Sequence, residues 1–180
     1  MSETISQKQL LSEAKAAYNK GKYLEAGRAF EAAATSFQAE GDALSAAEML
    51  NNASVSYLQA GETELAIQTV AGTDDIFASA GDIKRQGIAL GNLGAALEAE
   101  GRNDEAIVSY EKSAELLKKA GEGEFRANVM QSLSQLQLKT GRQFEALATM
   151  ESGLDGLERP SAKQRFLKRL LKLPYKYMGN

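Results

Sequence analysis

Two asparagines that lie forty residues apart, Asn52 and Asn92, are the side chains of this chain best suited to hold a ligand. An asparagine amide offers both a donor and an acceptor, so it can pair with the N–H and C=O groups of an extended peptide whatever its sequence. Asparagine is also a poor helix former, so propensity alone does not explain its place in a helical pattern. We therefore favour the interpretation that these amides contact a peptide. The alternative is that they are polar because this helix face is exposed to solvent.

Few side chains of this sequence suit catalysis. The chain contains no cysteine, histidine or tryptophan, which removes thiol nucleophiles, imidazole bases and the zinc sites built on them. The carboxylate pair Asp74 and Asp75 has no apolar pocket or activating partner, so we interpret both as surface residues. Gly91 and Gly94 lie on either side of Asn92, as glycines do in a phosphate-binding loop. However, they lie inside a helical pattern, and the lysine of such a loop is missing. We therefore expect a protein that is not an enzyme and that needs neither a cofactor nor a metal.

The spacing of the glycines indicates which elements carry the asparagines. Seven glycines recur at intervals of twenty residues, at Gly21, Gly41, Gly61, Gly81, Gly101, Gly121 and Gly141. Between them the apolar residues recur at three and four, which is typical of amphipathic helices. Glycine adopts the left-handed backbone that often follows a helix, and Asp42 and Asp82 can cap the helices that begin next. The sequence therefore predicts antiparallel helices of about 17–18 residues.

A period of forty residues aligns more than the glycines and joins the helices into pairs. One line of aligned positions is apolar, at Leu10, Leu50, Leu90, Met130 and Leu170. At a second line of aligned positions every residue is alanine, at Ala26, Ala66, Ala106 and Ala146. At a third line the side chains are aromatic or large and apolar, at Phe30, Val70, Tyr110 and Met150. Alanine at a fixed position of each repeat indicates that two helices approach closely there. A large side chain at one of these alanines should be costly through overpacking.

The residues 90–116, LGNLGAALEAEGRNDEAIVSYEKSAEL, resemble a tetratricopeptide repeat, with Gly94 in the first helix and Ala106 and Tyr110 in the second. The forty-residue period is longer than the usual roughly 34 residues. In this it resembles Pins-type polarity adaptors and kinesin light chains, and more loosely soluble NSF attachment proteins. Departures from the pattern are Glu13, which replaces a large apolar residue, and Gly72 with its two following acids, where a helix could bend.

The resemblance implies an all-α fold, a right-handed α-solenoid of antiparallel helix pairs. Residues 1–160 would hold four repeats, at approximately 7–40, 42–80, 82–120 and 122–158. The family binds peptides along a concave wall that the first helix of each repeat forms. Carried onto this chain, the family's groove positions are Lys8, Lys15, Glu48, Asn51, Asn52, Val55, Asn92, Asn128, Gln131 and Gln135. The acid Glu48 and its neighbours would favour a basic segment of a partner protein.

Charge is distributed unevenly along the chain. Residues 1–158 carry 14 basic and 24 acidic side chains, whereas residues 159–180 carry seven basic side chains and no acid. No basic residue lies between Arg28 and Lys84, so the second repeat is strongly acidic. Such runs usually mark solvated helix faces. A homo-oligomer in which the basic C-terminal helix of one copy docks on the acidic repeat of another is the alternative that this asymmetry suggests.

The segment 161–173 reads as a basic amphipathic helix after Pro160. Alone it suggests contact with a membrane surface, but Ser161 falls on the next twenty-residue mark and Leu170 on the apolar line of the repeat. This register favours a capping helix that covers the last repeat. Residues 174–180 would form a flexible tail. Membrane contact is thus less favoured than a cap, and we expect no binding of nucleic acid.

These observations predict a non-catalytic protein–protein interaction module. No signal sequence or apolar run of membrane length is visible, so a cytoplasmic location is expected. Two alternatives stay open at this point. One is a peripheral membrane or trafficking adaptor that uses the basic C-terminal helix, and the other is a self-assembling scaffold.

Overall fold

The structure is a computed structural model that describes residues 7–155, 157 and 160–171. Within these residues the chain forms helices and turns without any strand. The helices are α1 Gln7–Asn19, α2 Tyr23–Ala39, α3 Ala43–Ala60, α4 Thr63–Val70, α5 Thr73–Ser79, α6 Ile83–Ala99, α7 Asn103–Lys119, α8 Gly123–Lys139, α9 Gln143–Asp155 and α10 Ala162–Leu171. Neighbouring helices pack against each other from α1 to α4 and from α5 to α9, and α4 packs against α6, which gives the all-α solenoid expected from the sequence.

The turns between the helices form at the seven periodic glycines. All seven have a positive φ, between 72° and 85°, which is the left-handed conformation that glycine adopts without strain. In each turn the residue after the glycine donates its N–H to a carbonyl five residues back, as Asp42 does to Phe37 at 2.9 Å. These bonds satisfy carbonyls that the helix end leaves free. The prediction that each glycine ends a helix is confirmed.

Two of the following helices begin with the expected caps. The Asp42 carboxylate accepts from the backbone N–H of Ser45 at 3.0 Å, and Asp82 accepts from the N–H of Arg85 at 2.8 Å. The backbone N–H and the guanidinium of Arg85 hold the pKa of Asp82 below its usual value. A lowered pKa means that the stabilisation by Asp82 is present at neutral pH and is lost as the pH falls through the folded-state pKa.

We predict that Asp82→Ala lowers the free energy of unfolding by about 1 kcal/mol at neutral pH, because α6 loses its N-cap. The difference from the wild type should shrink as acid protonates Asp82, in urea titrations repeated at falling pH. Glu111→Ala, which removes an exposed acid of α7, is the matched control and should change stability by less than about 0.5 kcal/mol. An equal loss in both variants, or one that persists in acid, would contradict the cap.

The alanine line lies in the core, as expected. Ala26, Ala66 and Ala106 are 0% exposed, and Ala146 is 1% exposed. Glycine allows equally close contact between helices at other positions, since a Cβ on Gly27 would lie 2.6 Å from the Tyr57 ring. Small residues at fixed repeat positions therefore bring the helices together, and aromatic rings fill the space beside them.

The second helix of repeat two is broken, where the sequence indicated a bend. Gly72 has a φ of 76°, and the helix ends at Val70 and begins again at Thr73. The prediction of 17–18 residues for every helix is therefore wrong here, since α4 has 8 residues and α5 has 7. Thr73 is buried at the break and donates to the carbonyl of Val70 at 2.8 Å.

The C-terminal helix α10 packs against α9. The repeat boundaries and the role of residues 161–173 as a cap stay predictions. The expected tail at 174–180 lies outside the described residues.

Candidate binding surface

A cleft between α1 and α3 brings three of the predicted groove residues together. It encloses about 360 Å³ and is lined by Lys15, Tyr18, Asn19, Phe30, Asn52 and Val55. The first helix of repeat one and the first helix of repeat two form its walls, because they lie side by side in the solenoid. We call it the α1–α3 cleft.

The lining of the α1–α3 cleft combines apolar and polar groups. Phe30 is buried, and Tyr18 is held edge-on against Tyr23 with ring centroids 5.2 Å apart. Lys15 is exposed and Asn52 is half-buried, so their polar atoms can be reached by a ligand. An apolar lining with a few convergent polar groups is typical of a binding site. Here it suits an apolar side chain and the backbone beside it.

Asn51 has a structural role that the sequence did not indicate. It is 7% exposed, and its amide donates to the Ala47 carbonyl at 3.0 Å and to the Thr73 hydroxyl at 2.9 Å. Its oxygen accepts from the amide of Asn92 at 3.1 Å. The side chain thus joins α3 to α5 and α6. Asn51 is engaged inside the protein, and it orients Asn92 instead of facing a ligand itself.

The two predicted peptide-contacting asparagines therefore differ in surroundings. Asn52 lines the α1–α3 cleft, whereas the Asn92 amide nitrogen is turned toward Asn51. Thr73, which begins α5 just after the break at Gly72, accepts a hydrogen bond from the same Asn51 amide. The sequence contains one sign of this contact, because Thr73 occupies the repeat position that Ala33 occupies in repeat one.

We predict that Asn51→Ala lowers the free energy of unfolding by about 1–2 kcal/mol, because the buried hydroxyl of Thr73 and the amide of Asn92 lose their partner. Thermal and urea unfolding followed by circular dichroism measure the change. Asn52→Ala removes the neighbouring amide from the same helix and serves as the control. Equal stability of the two variants would contradict the structural role of Asn51.

Glu48 is partly neutralised by a residue of the next repeat. The Arg85 guanidinium lies 3.3 Å from Glu48 and 2.6 Å from Asp82, and it also lies over the Phe77 ring at 5.1 Å. The hydrogen bond to Asp82 and the nearby carboxylates raise the pKa of Arg85. The exposed pair adds little stability. It does offset the charge of Glu48 that was expected to attract a basic segment.

The remaining groove residues lie around a second cleft, between α8, α9 and α10. This α8–α10 cleft encloses about 380 Å³, and the predicted residues Asn128, Gln131 and Gln135 lie along it. Its apolar lining includes Met130, Met150, Leu154 and Leu157. The predicted wall therefore holds two clefts, one toward each end. Lys8 lies on α1, and its side chain lies outside what the structure describes.

In the part of the chain that the structure describes, no group of acidic, histidine or cysteine side chains could hold a metal ion. None of the helices in these described residues combines the length with the apolar character that crossing a membrane requires.

Paired helices that stack through left-handed glycine turns define an α-solenoid repeat protein. Residues 85–159 match the family model described as tetratricopeptide repeat. Together with the fold, this match confirms the resemblance to tetratricopeptide-repeat proteins. Such repeats are in general protein–protein interaction modules, and the fold is that of a non-catalytic scaffold.

Solved structures with the same fold include two of a Podosopora anserina protein described as a kinesin light chain with nearly identical TPR-like repeats. The first, which is of a substituted variant, has a TM-score of 0.74 and 17% identity and covers 96% of this chain and 86% of its own. The second has a TM-score of 0.74 and 17% identity, with 99% and 90% covered. At this identity the likeness concerns the fold alone. No curated protein matches the chain in sequence.

Proposed function

We propose that this chain is a non-catalytic interaction module that holds a segment of a partner protein along the wall formed by α1, α3, α6 and α8. The α1–α3 cleft carries the proposal, because it brings Lys15, Asn52 and Val55 together with the rings of Tyr18 and Phe30. The amide of Asn52 pairs with the backbone of the segment, and an apolar side chain of the segment enters the cleft.

The charges along this wall select the kind of segment. Lys15 is exposed at the cleft, and Arg85 offsets the acid Glu48 farther along the wall. The segment that fits best carries an apolar side chain next to an acceptor for the Lys15 ammonium. This segment replaces the basic one expected from Glu48 and its neighbouring acids, since Glu48 is paired with Arg85 within the fold.

A displayed peptide library panned on the purified protein supplies a probe whose sequence is then known. We predict that Asn52→Ala combined with Lys15→Ala weakens binding of the selected peptide about tenfold or more, because a backbone contact and a charged hydrogen bond are lost. Titration calorimetry measures this change. Gln68→Ala removes an exposed amide from α4 and should bind as the wild type does. Unchanged affinity of the double variant would place the site elsewhere.

The alternative of a peripheral membrane or trafficking adaptor rests on α10. This helix exposes Arg165, Phe166 and Arg169, with Phe166 68% exposed. Basic and apolar groups on one short helix also suit a protein partner, so the distinction needs a direct vesicle measurement. The cytoplasmic location stays a prediction.

A further inference from the structure

The side chain of Asn92, on the α6 part of the wall, is held in one orientation by a chain of hydrogen bonds. Its amide donates to Asn51 at 3.1 Å, and the Asn51 amide donates to Thr73 at 2.9 Å and to the Ala47 carbonyl at 3.0 Å. The Thr73 hydroxyl in turn donates to the Val70 carbonyl at 2.8 Å. This chain of bonds joins α6 to α3 and to the break between α4 and α5.

The direction of these hydrogen bonds follows from the backbone groups at which they end. A carbonyl can only accept, so the Thr73 hydroxyl gives its single hydrogen to Val70 and must accept from Asn51. The carbonyl of Ala47 likewise accepts from the Asn51 nitrogen, which leaves the Asn51 oxygen on the side of α6. Asn92 can bond to that oxygen only through its NH2 group. The two carbonyls therefore determine which end of the Asn92 amide faces α3.

The oxygen of Asn92 is left for another partner. Asn51 is 7% exposed and Thr73 is 1% exposed, so water does not compete for their hydrogen bonds. A buried polar group that loses its partner is costly, which keeps both side chains in this arrangement. Asn92 itself is half-buried, and its oxygen accepts no hydrogen bond from any residue that the structure describes. The oxygen is not a buried unpaired atom either, so a ligand can reach it.

The corresponding asparagine of repeat two has no such support. Asn52 and Asn92 occupy the same repeat position, and the residue that bonds to Asn92 is Asn51 of the preceding repeat. The position of Asn51 is filled in repeat one by Leu11, which packs against the apolar core and offers no hydrogen bond to Asn52. Asn52 therefore keeps its whole amide for a ligand, whereas Asn92 presents its oxygen in a fixed orientation.

We propose that Asn51 is a positioning residue, which holds Asn92 so that the Asn92 oxygen accepts from a backbone N–H of the bound segment. The inference rests on the proposed function, since it adds a second contact on the same wall. Asn92 is ordered before the segment binds, so binding does not have to restrict that side chain. Asn52, which no described side chain holds, becomes ordered only when the segment binds.

The positioning is tested first in the protein without a peptide. Nitrogen-15 relaxation of the Asn92 side-chain amide should show a rigid group in the wild type and a mobile one in Asn51→Ala, while the backbone amides of α6 stay rigid. Asn51→Leu, which introduces the residue of repeat one, repeats the test with the core kept filled. Asn52→Ala is the matched control and should leave Asn92 rigid. A side chain of Asn92 that is equally rigid in the wild type and in both Asn51 variants overturns the proposal.

The affinity for the peptide selected by panning then tests what the positioning does. Asn51→Ala should weaken binding about fivefold, because the segment must now order Asn92 as it binds. In the Asn92→Ala background the same substitution should cost no further affinity, since the side chain that it positions is gone. In the Asn52→Ala background it should cost the same factor as in the wild type. Titration calorimetry measures these changes, and circular dichroism shows that each variant is folded.

The outcomes separate this inference from the proposed function. An equal loss of affinity in the Asn92→Ala background would mean that Asn51 acts through the general packing of the wall, and it overturns the inference. Full affinity of Asn92→Ala, with weak binding by Asn52→Ala/Lys15→Ala, also overturns it, because the wall then holds the segment without Asn92. If Asn52→Ala/Lys15→Ala binds as the wild type does, the proposed function fails, and the contact assigned to Asn92 falls with it.

Discussion

Gly94→Val is expected to lower the free energy of unfolding by about 3 kcal/mol or more. A Cβ at this position would lie 2.7 Å from Cδ1 of Tyr110 and 2.9 Å from its Cε1. The ring is 3% exposed, and its hydroxyl donates to the Glu98 carboxylate at 2.9 Å. Burial raises the pKa of Tyr110, so this hydroxyl stays protonated. The ring has nowhere to move without losing that bond or the packing of α6 on α7.

Thermal unfolding gives the test, because about 3 kcal/mol corresponds to a fall in Tm of roughly 6–12 °C for a domain of this size. Ala99→Val introduces the same side chain at an exposed position of α6 and should cost only about 0.5 kcal/mol of helix propensity. If Gly94→Val unfolds within a degree or two of the control, the close contact of α6 and α7 at Tyr110 is wrong.

Ala106→Leu should destabilise the protein by about 2–3 kcal/mol, because the added atoms enter a filled core. Ala106 is 0% exposed, and its cluster contains Leu97 and Tyr110 of its own repeat and Leu133 of the next. The substitution therefore strains the packing within a repeat and the packing between repeats. Alanine and leucine have similar helix propensities, so the loss reports packing alone.

Urea unfolding of Ala106→Leu against Ala148→Leu isolates this effect, since Ala148 is exposed on α9. The control should stay within about 0.5 kcal/mol of the wild type. Equal stability of the two variants would mean that the aligned alanines do not mark close helix contacts. A large loss in the control alone would mean that the alignment of the repeats is shifted.

The features that local chemistry determines could be predicted from the sequence. A left-handed turn favours glycine whatever surrounds it, so the seven periodic glycines located the turns in which they stand. An aspartate just after such a turn lies beside the free backbone N–H groups at the start of the next helix. The caps at Asp42 and Asp82 could therefore be predicted from the sequence. The forty-residue alignment likewise identified Ala106 as buried, because each repeat meets the same neighbours.

The features that depend on contacts between repeats could not be predicted in this way. The break at Gly72 was visible as a weak point, but the hydrogen bond from Asn51 to Thr73 depends on how α5 packs against α3. Asn51 and Asn52 look equivalent in a polar stretch, although one is buried and the other lines a cleft. The same holds for Glu48, whose partner Arg85 comes from the next repeat.

The central claim, that the wall of α1, α3, α6 and α8 holds a peptide, is tested most directly by mapping amide chemical shifts during titration of the isotope-labelled protein with the selected peptide. We predict the largest shifts at Lys15, Tyr18, Asn52 and Val55, around the α1–α3 cleft. Shifts confined to the outer helices α7 and α9, with those four residues unchanged, would contradict the account.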